Sequence, residues 1–224
     1  MRNINSIIAL SKREFQITYR DFSNLLSIFV FFLLGTIIFV FSIGGNKEVL
    51  NQIGIGIIWT LIILSNTLSI KKFFQNDFDD DSIFIFHISG LSFEIIALVK
   101  IVIIWFFVQI PFFITIPIAV LLLNIDIIHL KILLLTFLVG SIIITCITSI
   151  SGSMNLLNKK NFAIGSLIVM ILSIPIIIFS VGIINSSSEM IKAQFNILLG
   201  IMFLFISISP WICGACIKIS LQNK

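Results

Sequence analysis

FSNLLSIFVFFLLGTIIFVFSI, residues 22–43, runs for 22 positions without one charged side chain. A helix rises about 1.5 Å per residue, and a bilayer's hydrocarbon core is about 30 Å thick, so a helix of this length spans it. A spanning β-strand would alternate apolar and polar residues over about ten positions. This stretch does not alternate. It ends at Gly44-Gly45, a pair suited to a turn.

Similar runs recur downstream, at about 50–70, 95–123, 132–157, 162–184 and 195–219, giving six spans. Upstream, Ile7, Ile8, Leu10, Phe15, Ile17 and Tyr19 are mixed with Arg2, Lys12, Arg13 and Arg20. That mixture predicts an amphipathic helix over 1–21, lying among the headgroups. The fold class is therefore all-α: a polytopic membrane protein, with 1–224 as a single membrane domain. Composition agrees, because 58% of the 224 residues are hydrophobic and 11% charged, with a mean hydropathy of +1.20. A soluble domain carries about 25% charged residues. The formal charge of +4 reflects basic anchors at span ends and does not point to nucleic acid.

Orientation follows from lysine and arginine near the spans. Arg2, Lys12, Arg13, Arg20, Lys71, Lys72, Lys100, Lys159, Lys160, Lys218 and Lys224 fall on one side, and only Lys47, Lys131 and Lys192 on the other. Both termini, the 71–94 segment and a tight turn at Asn158, Lys159 and Lys160 are expected on the cytoplasmic side, or in the matrix of an organelle. The membrane would be a bacterial or mitochondrial inner membrane.

Within the spans the chemistry is sparse. No phosphate-binding loop, HExxH or nucleophile elbow is present, so the chain is expected to be non-catalytic and not to hold ATP itself. Cys213-Gly214-Ala215-Cys216 has CxxC spacing but sits in an apolar run and reads as helix packing. His129 stands near the outer edge beside Asp126, where it could ligate haem iron or simply be solvated. His87 reads as packed or solvated. Lys100 is near the cytoplasmic end and can snorkel outward. Ser141, Thr145, Ser149 and Ser153 recur at every fourth position and share one helix face. Small residues there let backbones approach, either within the subunit or as a dimer seam. Pro111 and Pro117 in the third span and Pro175 in the fifth invite kinks.

The 71–94 segment is different. KKFFQNDFDDDSIFIFHISG, residues 71–90, gathers Asp77, Asp79, Asp80 and Asp81 among Phe73, Phe74, Phe78, Phe84 and Phe86. A purely solvated loop would not keep so many aromatics. Apolar groups rimmed by charge mark an interaction site, and acids are repelled by an anionic leaflet. The expectation is a short helical element, projecting from the bilayer, that docks a basic cytoplasmic partner. Phe73, Phe74, Asp77, Asp79, Asp80 and Asp81 are its candidate contacts. Asp79 to Asp81 would also suit a helix N-terminus before Ser82–Phe86.

Several motifs together resemble the haem exporter protein B family (cytochrome c maturation protein B). They are Gly56-Ile57-Ile58-Trp59, Leu64-Ser65, the run from Lys72 to Asp77, and Leu98-Val99-Lys100 with Trp105. Pro111, Pro117, Ile174-Pro175, Phe179, Ser209-Pro210 and the run from Ile217 to Leu221 continue them. The chain departs from the family at Asp80-Asp81-Ser82-Ile83-Phe84 and at Ser89-Gly90-Leu91-Ser92, which lacks proline.

The resemblance implies an ABC-2-type permease-like fold and a place in an ATP-driven haem export complex. The partners would be a cytoplasmic ABC ATPase subunit, haem-handling membrane subunits, a haem chaperone, membrane lipid and a second copy of the chain. This chain itself would bind no cofactor, while the complex handles haem. ATP hydrolysis would drive chaperone release. Two other readings stay open: a permease for lipid, drug or polysaccharide, and a non-transporting subunit for respiratory-complex assembly.

Overall fold

A computed structural model describes residues 2–157, 162–186 and 188–223. They form helices joined by short turns, with no strand among them. In chain order these are α1 (Arg2–Arg20), α2 (Phe22–Ser42), α3 (Lys47–Thr67), α4 (Ile70–Asp79), α5 (Ser82–Ile88) and α6 (Phe93–Gln109). They continue as α7 (Phe112–Leu122), α8 (Ile127–Leu157), α9 (Phe162–Leu172), α10 (Ile174–Asn185) and α11 (Ser188–Gln222). Six helices or helix pairs are long and apolar enough to cross a membrane. The expected turn at Asn158, Lys159 and Lys160 lies outside the described residues.

Local chemistry sets the boundaries. Gly44 and Gly45 both adopt φ +71°, and the Gly45 N–H donates to the Val40 carbonyl at 3.3 Å, closing α2. Asn46 then caps α3, its side chain accepting from the Glu48 and Val49 N–H groups. Ser92 caps α6 in the same way, accepting from the Ile95 N–H.

Two spans are interrupted near prolines expected to kink them. The third divides into α6 and α7 at Ile110-Pro111, and the fifth into α9 and α10 at Ser173. Pro111 and Pro175 have no N–H to offer the preceding turn, so each ends one helix and starts the next. Two further spans reach beyond their expected bounds: α8 begins at Ile127, and α11 covers Ser188–Gln222. The polar residues at these ends continue the helix because each backbone bond adds to one already formed. The 71–94 segment, expected to hold a short helical element, forms the two helices of the α4–α5 hairpin.

The long helix α8 is the centre of the bundle and touches α3, α4, α6, α7, α9, α10 and α11. Trp59 of α3 lies over Gly140 of α8, where a Cβ would meet the Trp59 ring at 2.5 Å. Phe112 packs edge-on against Phe32 (5.3 Å) and Phe137 (6.0 Å). Large apolar side chains such as Phe41, Ile128 and Trp211 face outward, as expected where the solvent is lipid.

One end of the bundle holds the end of α3, the α4–α5 hairpin, the start of α6 and the last turns of α8 and α11. Contacts of Gly152 with Ile70 and of Gly214 with Glu94 show this. The opposite end holds the α2–α3 turn and the α7–α8 turn, where Gly54 lies against Ile125.

Candidate functional site

The α4–α5 hairpin is amphipathic, and its two sides go to different places. Phe73, Phe74 and Phe78 of α4 are fully buried. At Gly152 of α8 a Cβ would stand 2.9 Å from the Ile70 carbonyl oxygen and 3.2 Å from the Phe73 Cβ. The backbones of α4 and α8 meet there because glycine leaves room. Phe73 and Phe74, expected as exposed contacts for a partner, are instead part of the chain's own core. Their apolar area is worth more inside than in water.

Asp77, a third expected contact, is buried too. It belongs to a closed ring of alternating charge. Arg13 donates through one nitrogen to Glu14 Oε1 at 2.7 Å and through the other to Asp77 Oδ1 at 2.8 Å. Lys100 Nζ donates to Glu14 Oε2 at 2.9 Å and also to Asp77 Oδ2. Each of the four carboxylate oxygens therefore accepts from a cation. Lys100 is 2% exposed, Glu14 4% and Asp77 7%. Lys100 thus turns inward to two carboxylates and does not snorkel outward. Burial would push the Asp77 carboxyl up, but Lys100 and Arg13 outweigh it and hold the group below the usual carboxylate range. Arg13 also donates to Ser82 Oγ at 3.2 Å and lies 4.9 Å over the Phe86 ring.

Sequence reasoning missed this ring, although two signals point to it. Glu14 interrupts the apolar stripe Ile7, Leu10 of α1, and Lys100 interrupts the apolar run from Ile95 to Phe107. A lone ionisable residue on such a face needs a partner.

Asp79, Asp80 and Asp81 are exposed at the hairpin's tip. Gln75 donates to both Asp79 carboxylate oxygens. Asp81 stands before α5 in the left-handed region (φ 58°) and its side chain makes no capping bond. The helix expected to follow these acids does begin at Ser82, without a side-chain cap from Asp81. The exposed apolar residues beside them are Phe84, Ile85 and Ile88 of α5. His87 stacks on Phe93 at 4.2 Å, and its Nδ1 is 3.0 Å from the Leu91 carbonyl oxygen.

Ser141, Thr145, Ser149 and Ser153 are all buried within the chain. Ser141 accepts from the Trp105 indole N–H at 3.0 Å, Thr145 accepts from Gln109 at 3.2 Å, and Ser149 Oγ is 3.5 Å from Cys213 Sγ. The stripe faces α6 and α11. Gln109 also donates to Asn66 Oδ1 at 2.6 Å, tying α6 to α3 at the break. Cys146, Cys213 and Cys216 are buried free thiols.

At the opposite end, His129 lines an open polar cleft of about 600 Å³ with Glu48, Asn51, Gln52 and Asp126. Asn51 donates to Asp126 there at 3.3 Å. No second histidine or cysteine lines the cleft. Among the described residues no three His, Cys, Asp or Glu side chains are grouped to hold a metal ion.

Comparison with known proteins agrees along nearly the whole chain. The sequence model of the family described as CcmB protein matches residues 5–220. Heme exporter protein B of Haemophilus influenzae is 31% identical over 96% of this chain and 99% of that protein. Heme exporter protein B of Pseudomonas aeruginosa is 23% identical over 98% of this chain and 99% of its own length. A putative cytochrome c biogenesis ccmB-like mitochondrial protein of Marchantia polymorpha is 27% identical over 85% of this chain and 66% of that protein.

Proposed function

Because the chain belongs to the CcmB protein family, we propose that it is a membrane subunit of a haem export system serving cytochrome c maturation. ATP hydrolysis takes place on a separate cytoplasmic subunit that docks on the α4–α5 hairpin and through it drives release of the haem chaperone. The observation that carries this reading is the hairpin's exposed tip. Asp79, Asp80 and Asp81 stand beside Phe84, Ile85 and Ile88 at the basic end of the bundle. An acidic rim around an apolar centre suits a partner with a basic rim around an apolar socket. Phe73, Phe74 and Asp77 support the tip from below and touch no partner. A second copy packs on an outer face, since the Ser141, Thr145, Ser149 and Ser153 stripe is used inside the chain.

The test replaces Asp79, Asp80 and Asp81 together by Lys. The protein still inserts, because these side chains lie outside the bundle. The ATPase subunit is lost on co-purification, and covalent haem attachment to c-type cytochromes fails in cells that depend on the variant. An ATPase that co-purifies unchanged refutes the docking surface. Normal haem attachment in cells lacking the chain refutes the haem reading.

A further inference from the structure

We infer that the ring of Arg13, Glu14, Asp77 and Lys100 is a mechanical latch that makes α1, α4 and the first turns of α6 move as one body. Asp77 is the positioning residue that hands the hairpin's motion to the membrane helices. The inference rests on the proposed docking of an ATPase at the hairpin's tip. It assigns the path taken from there.

The ring joins elements far apart in sequence: Arg13 and Asp77 are separated by 64 positions, and Glu14 and Lys100 by 86. Its charges alternate and cancel, and all four carboxylate oxygens are engaged. Such a ring has one register. Sliding α4 past α6 would strand a buried charge, at a cost far above that of shifting an apolar contact. Arg13 extends the body to α5 through Ser82 and Phe86.

The other side of α4 is different. It meets α8 through Phe73, Phe74 and the Gly152 contact, an apolar surface. Force applied at the tip therefore passes to α6 through ions that fix one register, while the α8 side holds α4 by apolar packing. The helix carrying Lys100 runs unbroken to Gln109 and stops at Ile110-Pro111, which marks the end of the rigid body.

The experiment uses the assembled complex in nanodiscs, with Cys146, Cys213 and Cys216 replaced by Ala and spin labels at exposed positions. One pair is Asn76 (α4) with Val102 (α6). The other is Val102 with Ile178 (α10). In the otherwise unaltered chain, ATP leaves the 76–102 distance unchanged and shifts the 102–178 distance. The double variant Asp77→Asn, Lys100→Met keeps Arg13 paired with Glu14 and leaves no stranded charge. It still co-purifies with the ATPase, but ATP now shifts the 76–102 distance and not the 102–178 distance. A 102–178 shift that persists in this variant overturns the latch. So does a 76–102 distance that changes with ATP in the unaltered chain, a measurement that needs no ring variant to fold. An ATPase that fails to co-purify even with the unaltered chain is the separate failure of the docking reading, and removes the latch with it.

Discussion

At Asp77 one carboxylate serves two cations, and the consequences of removing it can be worked out from the ring. Asp77→Asn leaves Lys100 and Arg13 sharing Glu14 alone. Lys100→Met leaves two buried carboxylates with a single arginine. Breaking a buried pair costs about 3–5 kcal/mol, whereas removing both partners is often close to neutral. Thermal unfolding in detergent is expected to show both single variants well below the unaltered chain and the double variant nearer to it. Additive losses in that cycle contradict a coupled ring. The pH dependence has a definite sign. In the unfolded chain an aspartate titrates near ~3.9, and in the folded chain Asp77 lies lower. Its stabilisation is therefore complete above the unfolded value and disappears as pH falls through the folded one. Between pH 8 and 5 Asp77→Asn should lower the melting temperature by a constant amount, and the difference should shrink only below about pH 4. Glu14 was hidden at this scale because a single acid on an amphipathic helix looks solvated until the helix's neighbour is known.

At the scale of elements, α4 is held between an apolar contact and an ionic one. Gly152 is the closest point of the apolar side, since a Cβ there meets a backbone oxygen that cannot swing away. Gly152→Val is expected to push α4 off α8 and uncover Phe74. A cysteine placed at Phe74 should then react with a membrane-impermeant maleimide in the Gly152→Val background and stay protected without it. Protection in both backgrounds contradicts the close approach. The hairpin was legible as a helical element distinct from the spans from its mixture of Asp and Phe. The division of labour between its faces was not, because α4 is too short for periodicity alone to say which face meets a neighbour. Phe73 and Phe74 turned inward because α8 offers a glycine there. The prolines were legible as kinks, and beside Pro111 and Pro175 the helix is interrupted for one or two residues before it resumes.

For the whole molecule, the six spans put the described ends of α1 and α11 at the same end of the bundle, together with the hairpin. A cytoplasm-active reporter fused after Lys224 should work, and one inserted in the α2–α3 turn should not. The opposite pattern would invert the proposed orientation. Six apolar runs and their basic flanks were determined by the sequence alone, because transfer of about 20 apolar residues into lipid depends on composition and needs no tertiary partner. Membership of the haem exporter protein B family was equally legible, since its motifs are spread along the chain. What only the tertiary structure decided is where charge and aromatic side chains go once the helices pack. It put Asp77 beside Lys100 and Glu14, and it set Ser141, Thr145, Ser149 and Ser153 inside the chain. Those outcomes depend on contacts between residues tens of positions apart, and a buried charge is stable only where such contacts bring its partner within bonding distance.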